Sequence, residues 1–444
     1  MVFGLILLTV AWAAPASRRS APAGATNSDR VTSLPRLGAV NTTQFAGYAS
    51  VRPAPCSNLL CSDPRDAGLF YWYVATRHES PSTPTVLWTN GGPGSSSFWG
   101  FFTENGPYSV SKNGQLHPRP MAWNDTANYL MFEHPLGVGL SFAPDSQLPG
   151  NLQQGINQWY QALVHFLDRH PDIAARPIIL AGESYAGTYE PLMAKAILDG
   201  NARAGRPVVR LGGVVITSGW VDPVVQQSMD TTYAATHGLI TNQDKVRLDQ
   251  LFAQCQLAVA AQTPSSAAAN DVCAKIKSGI EQVSGRYLLN IAATGDPPTD
   301  PMKAYLNRAD VRKAIHAKSS GHFTLYSEAI YTRYATGEED SYRSVVQEVL
   351  DRGVPVMVVS GLNDATDVNF LGTAAWLNRL QGDRAANFRA APTRQWKEHG
   401  QVLGYLQQGG GLTWVQVLNG GHLVVLDQPH LIDLVQAEAV TSKP

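Results

Sequence analysis

Charge is scarce in this sequence. Asp, Glu, Lys and Arg make up 16% of its 444 residues, and the formal net charge is −1. No long run of Lys or Arg occurs, so the basic footprint that a phosphate backbone demands is missing and nucleic acid is not expected as a partner. Cysteine is also sparse, with four in all. No CxxC, HExxH or His-rich cluster is present, so neither a metal nor another cofactor is expected. Beyond the N-terminus no apolar run reaches the roughly 20 residues of a membrane-spanning helix, so no integral membrane association is expected. There is no internal repeat. What remains is a 44% hydrophobic chain, enough for a substantial globular core.

The N-terminus reads MVFGLILLTVAWAAPASRRS. Its apolar run and the small-residue pattern Ala11-Trp12-Ala13 predict a signal peptide over residues 1–13, although no Lys or Arg precedes the run. Residues 14–40 begin rich in Ala, Ser and Pro and read as a flexible extension or pro-segment. Entry into the secretory pathway fits an even cysteine count. Local spacing suggests Cys56–Cys61 and Cys255–Cys273, while sequence alone allows three connectivities. Asn41 and Asn124 begin glycosylation sequons.

From Phe45 onward, short apolar, β-branched or aromatic runs alternate with helical patterns. The runs are Leu69–Val74, Thr85–Trp88, Tyr129–Phe132, Pro177–Ala181, Val214–Thr217, Val354–Ser360 and Thr413–Leu418. Several are nearly continuous, as strands buried on both faces must be. Gly155–Asp168 and a segment from Tyr185 through Leu198 read as helices between them. This alternation predicts an α/β sheet, its core divided into residues 41–222 and 301–444. Residues 223–300 break the pattern. Leu248, Leu251, Phe252 and Cys255 recur at helical spacing behind Thr241-Asn-Gln-Asp244, which reads as a capping box. A small helical lid pinned by a disulfide is expected there.

The stretch LAGESYAGTYEP (residues 180–191) stands between a predicted strand and a predicted helix. A serine on such a tight turn, among small residues, is placed as a nucleophile elbow requires, although Ala186 replaces the second glycine of the pattern. A serine nucleophile needs a base and an orienting acid, in the chain order serine, acid, histidine on this kind of sheet. Two later strand ends supply them. Val354–Ser360 runs into Gly361-Leu-Asn-Asp364, and Thr413–Leu418 runs into Asn419-Gly-Gly-His422. The glycines before His422 would let the backbone turn the imidazole over the sheet. Asn90-Gly-Gly-Pro-Gly94, after another strand, exposes backbone N–H groups of the kind that stabilise an oxyanion.

With these residues assembled, the sequence resembles the serine carboxypeptidases, the family of carboxypeptidase Y and cathepsin A. The resemblance spans about Gly68 to Pro429. It rests on five blocks in order: WTNGGPGSSS (88–97), WNDTANYLMFEHPLGVGLSF (123–142), LAGESYAGTYEP, YLNRADVRKAIHA (305–317) and LNGGHLVVLDQP (418–429). It implies an α/β-hydrolase fold with a helical insertion, and release of single residues from peptide or protein C-termini. Ser184 would be the nucleophile, His422 the general base, Asp364 its orienter, and the N–H groups of Gly92 and Tyr185 the oxyanion hole. Asn90, Gly91, Glu104 and Glu183 would bind the terminal carboxylate. Trp99, Thr103 and Leu423 would border a side-chain pocket.

The sequence departs from the family pattern in several places. Ser95 replaces a usual cysteine, Glu133-His134-Pro135 stands where Asp-Gln-Pro is common, and Thr217-Ser-Gly219 replaces an Asn-Gly pair. One extra residue between Gly361 and Leu371 brings Asp367 into competition with Asp364, whose Gly-x-x-Asp spacing is intact.

Glu183, directly before the serine, would repel an oxyanion if ionised. Two carboxylates in one pocket cannot easily both ionise, so a proton shared with Glu104 removes the conflict and predicts an acid enzyme. The expected location is secreted, or an acidic vacuolar or lysosomal-type compartment. Two alternatives keep the same fold: an acyltransferase that passes the acyl group to an alcohol, and a non-catalytic secreted scaffold or binding protein.

Overall fold

A computed structural model describes residues 28–51, 67–78, 80, 82–366 and 368–439, with backbone alone for 438 and 439. The expected signal peptide, the Cys56–Cys61 pair and Asp367 lie outside the described residues. Ten strands form one sheet: β1 (Gln44–Ser50), β2 (Gly68–Val74), β3 (Thr85–Asn90), β4 (Asn128–Phe132), β5 (Ile178–Glu183), β6 (Leu211–Thr217), β7 (Val356–Gly361), β8 (Thr393–Glu398), β9 (Gln401–Gly409) and β10 (Leu412–Val417). Their order across the sheet is β8-β9-β10-β7-β6-β5-β3-β4-β2-β1. The six from β10 to β4 are mutually parallel, and the flanking strands pair antiparallel.

Side chains of one strand alternate between two cores. In β2, Leu69, Tyr71 and Tyr73 enter one hydrophobic cluster, and Phe70, Trp72 and Val74 enter the other. In β5, Ile178 and Leu180 face the first, Ile179 and Ala181 the second. Both faces must therefore be apolar, which is why these strands read as continuous runs rather than alternations. Helices α1 (Leu152–Arg169) and α2 (Ala186–Ala204) cover the first face. The Asn151 side chain caps α1 by accepting from the Gln154 N–H at 3.0 Å. Met302, Tyr305, Leu431 and Val435 close the second face.

Three strands escape the sequence reading. β1 (QFAGYAS) intersperses Phe45 and Tyr48 with small and polar residues and so carries no continuous apolar run, and β8 and β9 form a half-exposed antiparallel edge with many polar side chains. The proposed extension also begins to pack earlier than residue 40. Asp29 is buried against His170, Arg169 and Tyr71, and Val31 and Leu34 join the core, so residues 28–40 are held rather than flexible. Of the two sequon asparagines, Asn41 is exposed and Asn124 is buried.

Between β6 and β7 the described residues form helices and connecting segments, with no strand of the sheet. The longest are α3 (Asn242–Ala260) and α4 (Ala267–Ser284). Thr241 and Asp244 form the reciprocal capping box at the start of α3. Leu248, Cys255, Cys273, Ile276 and Ile280 make a separate small core, and Cys255 is bonded to Cys273 across it. No helix among the described residues is long and apolar enough to cross a membrane. The disulfide closes a loop of 18 residues, which corresponds to about 3 kcal/mol of chain entropy. Replacing both cysteines by serine is expected to speed amide hydrogen exchange across residues 242–284 while β3, β5 and β6 keep their protection. Equal loss of protection in the sheet would contradict this local role.

Candidate active site

The carboxyl ends of β3, β5, β7 and β10 converge on one edge of the sheet. Ser184 follows β5 directly and has φ of +64°, the left-handed region. For a residue with a Cβ this costs roughly 1–2 kcal/mol. Hydrogen bonds on both sides hold it there. Its N–H donates to the Thr217 carbonyl at 3.1 Å, and its carbonyl accepts from Gly187 at 2.9 Å and Trp220 at 2.8 Å. The loop after β3 presses against this turn. A Cβ on Gly91 would stand 2.3 Å from the Tyr185 nitrogen, so only glycine fits.

Asp364 lies three residues beyond β7 and is 1% exposed. Its Oδ2 is 2.8 Å from His422 Nδ1, and its Oδ1 accepts from the Thr366 N–H at 3.0 Å and hydroxyl at 2.6 Å. Both oxygens are thus engaged, and the imidazole is oriented through Nδ1. The glycine pair before His422 has a different reason from the one expected. Neither glycine adopts a positive φ; the left-handed residue is Asn419, at +60°. Gly421 is needed for closeness, since a Cβ there would lie 2.5 Å from the Asn290 Cβ and 2.6 Å from the Leu289 carbonyl oxygen; Gly361 is needed in turn, because its Cβ would lie 2.1 Å from the Gly421 carbonyl oxygen. The segment after α4 clasps both loops. The Leu289 carbonyl accepts from His422 N–H at 2.6 Å, the Leu288 carbonyl from Ala365 at 2.9 Å, and the Asn363 carbonyl from Ile291 at 3.0 Å.

Asn90 and Glu183 are register partners on neighbouring parallel strands, so their side chains share a face. The Asn90 Oδ1 accepts from Trp88 Nε1 and the Gly100 N–H, both at 2.9 Å. That fixes the amide, and its Nδ2 donates to Glu104 at 3.3 Å and Glu183 at 3.4 Å. Glu104 arrives on a single π-helical turn, Gly100–Glu104. Both carboxyls are buried, and burial raises both above their ordinary range. For Glu183, the neighbouring charge of Glu104 and a hydrogen bond to it add to the rise. The same bond opposes the rise at Glu104. Burial thus drives both carboxyls upward, and the pair holds a proton between them above the ordinary carboxyl range. Two further acids are neutralised by burial nearby. Glu133, held by the Ser96 hydroxyl, is pushed up to about 7, and Glu190, beneath the elbow in α2, lies well above its ordinary range.

A cavity of about 280 Å³ is lined by Gly92, Ser184, Tyr185 and His422. Trp220, Gln227, Asn270, Lys277, Tyr331, Glu338 and Glu339 form its remaining polar and aromatic wall. The sequence offered no motif for these wall residues. They come from separate segments, and only Trp220, three residues past β6, stands near a strand end. Asn90, Glu104 and Glu183 do not line this cavity. Neither do Trp99, Thr103 and Leu423. Thr103 donates its hydroxyl to the Trp99 carbonyl within the turn that carries Glu104, and Leu423 is half-buried beside His422. A larger cleft of about 690 Å³ lies between α1 and α2 and holds no site residue.

These buried acids make stability depend on pH. An unfolded glutamate titrates near 4.5, whereas Glu133 holds its proton to about 7 and Glu183 well above 4.5. Between the two values the folded state binds more protons, so stability is greatest below pH 4.5 and falls as pH rises through the folded values. For Glu133 alone the difference is about 3 kcal/mol. The melting temperature is expected to fall from mildly acidic to slightly alkaline pH. Glu183→Gln, which keeps a donor and cannot ionise, is expected to flatten that slope. A variant slope equal to the wild-type slope would exclude Glu183 as a contributor.

A model of the serine carboxypeptidase family matches residues 35–437 of this chain. Carboxypeptidase Y homolog A of Fusarium vanettenii is 29% identical over 412 residues, covering 89% of this chain and 73% of that protein. Serine carboxypeptidase-like 50 of Arabidopsis thaliana is 30% identical over 387 residues, covering 86% and 84%. Among solved structures, the crystal structure of Kex1Δp, a prohormone-processing carboxypeptidase from Saccharomyces cerevisiae, superposes with a TM-score of 0.76 at 21% identity. It covers 89% of this chain and 91% of that one. That likeness shows a common α/β-hydrolase fold. By the family match across most of its length, the chain belongs to the serine carboxypeptidases, a family of hydrolases.

Proposed function

We propose that this protein removes single residues from peptide C-termini through an acyl-enzyme, in a secreted or acidic secretory-pathway setting. The observation that carries the reading is the buried Asn90–Glu104–Glu183 group beside a left-handed serine. A carboxyl kept protonated can donate to a carboxylate, and few other uses explain two buried acids beside a nucleophile. The N-terminal leader pattern and the Cys255–Cys273 bond support an oxidising route.

In this mechanism the terminal carboxylate accepts hydrogen bonds from the Asn90 amide, the Gly91 N–H and the proton shared by Glu104 and Glu183. Ser184 Oγ attacks the carbonyl carbon of the last peptide bond while His422 takes its proton. Asp364, bonded to His422 Nδ1 at 2.8 Å, holds the ring with its other nitrogen toward the serine and stabilises the imidazolium. The N–H groups of Gly92 and Tyr185 donate to the oxyanion. His422 then protonates the leaving amine, and the C–N bond breaks to give an ester on Ser184. Water, deprotonated by the same imidazole, releases the shortened peptide.

The sign of the pH dependence follows from the acid pair. While the pair holds a proton, it can donate to the substrate carboxylate. When that proton is lost at higher pH, carboxylate faces carboxylate and binding weakens. KM is therefore expected to rise by roughly tenfold from mildly acidic to slightly alkaline pH. Glu183→Gln is expected to flatten the profile. A flat wild-type profile would exclude the mechanism. Ser184→Ala is expected to lower kcat by roughly 10⁴–10⁶-fold on a peptide panel read by mass spectrometry. Loss of residues from amidated peptides as readily as from free C-termini would overturn the exopeptidase reading.

A further inference from the structure

The walls of the cavity behind Ser184 carry charge that the reaction does not use. Glu338 and Glu339 lie between the helices Glu328–Tyr334 and Arg343–Asp351, and both line the cavity. Lys277, on α4, lines it too. Two carboxyl side chains and one ammonium thus stand around a space of about 280 Å³.

The acidic segment is fixed rather than loose. Glu338 Oε2 accepts from Asn270 Nδ2 at 2.7 Å, and that amide also donates to the Ala335 carbonyl at 2.7 Å. The Glu338 carbonyl accepts from Trp220 Nε1 at 2.9 Å, and the Glu339 N–H donates to Ser265 Oγ at 3.2 Å. The negative charge is felt across the space. Glu338 adds to the upward pressure on the hydroxyls of Tyr185 and Tyr331, which line the same cavity, after the larger effect of burial.

Position decides which part of a substrate meets this charge. The group that would hold the terminal carboxylate does not line the cavity, whereas Ser184, Gly92, Tyr185 and His422 do. A peptide with its last carboxylate at Asn90 and its scissile carbonyl at Ser184 must project its penultimate residue away from Asn90. That residue's side chain has this cavity to enter. The volume is below that of a drug-sized ligand site and suits a side chain. Trp220, Tyr185 and Tyr331 offer faces for a long aliphatic stem or a planar cation.

We infer that Glu338 and Glu339 make this cavity a subsite selecting a lysine or arginine side chain at the penultimate position of the substrate. The inference rests on the carboxypeptidase reading for the name of that position, though the acyl side of any ester must occupy the same cavity.

The test uses N-blocked amino acid ethyl esters, which carry no terminal carboxylate and report the acyl side alone. Lysine and arginine esters are expected to exceed the norleucine ester, the uncharged match to lysine, by roughly tenfold or more in kcat/KM, and the glutamate ester by a larger factor. Glu338→Gln and Glu339→Gln should each lower the lysine-to-norleucine ratio several-fold, and Lys277→Ala should raise it. A purely structural role would slow all esters together and leave the ratio fixed. A wild-type ratio at or below one, or ratios that Glu338→Gln and Lys277→Ala do not move in opposite directions, would overturn the inference. If the ester ratios hold but free peptides are not trimmed, the exopeptidase reading falls and the basic subsite stands. If no ester acylates the protein, both fall.

Discussion

The parallel register of β3, β5 and β6 is the constraint from which the site follows. Asn90 pairs with Glu183, and Thr217 pairs with Glu183 from the other side, so three strands end level. Because both faces of β5 are buried, its last side chain has no solvent to reach. Glu183 must therefore be solvated by protein, and the register puts the Asn90 amide there. The next residue has to leave the sheet at once. Ser184 does so in a left-handed conformation, with Thr217 receiving its N–H. The proposed nucleophile and the proposed recognition carboxyl are neighbours in sequence because one buried strand ends between them.

That arrangement is costly, and the cost has a direction. A left-handed serine and several buried acids all oppose folding, and the two aromatic-rich cores on either side of the sheet offset them. Backbone strain is indifferent to pH. Buried acids are not, since each is cheapest when protonated. Glu183, Glu133 and Glu190 are all driven upward mainly by burial. Stability and the proposed carboxylate recognition thus improve together as the medium becomes acid. The same physics serves both, so the proposed acid preference rests on the fold as well as on the site.

The central strands were legible because two-sided burial leaves no place for polar residues. Leu69–Val74, Thr85–Trp88 and Val354–Ser360 each fall within two residues of an observed strand. Strands β8 and β9 were not, because one face meets water and sequences such as TRQWKE carry no continuous apolar signal. Ser184, Asp364 and His422 could be singled out because each follows closely on a readable strand, and the structure brings Asp364 and His422 together. The reason for Gly421 was not legible. It lies in the segment after α4, where a Cβ on Gly421 would strike Asn290 and the Leu289 carbonyl. The cavity wall was hidden for a similar reason. Asn270, Lys277, Glu338 and Glu339 are ordinary polar residues until the insertion folds over the sheet.

The insertion is more than a cover. Its exit segment, residues 288–291, donates to or accepts from the backbone beside both Asp364 and His422. Ala365, next to Asp364, packs into the small core that the disulfide crosses. The acid and base proposed for catalysis are thus tied to the element that carries Asn270 and Lys277. A change that loosens α3 and α4 would widen the side-chain cavity and slacken the Asp364–His422 pair together. The proposed side-chain wall and the proposed catalytic pair are thus joined through backbone hydrogen bonds, so one cannot be remodelled without regard to the other.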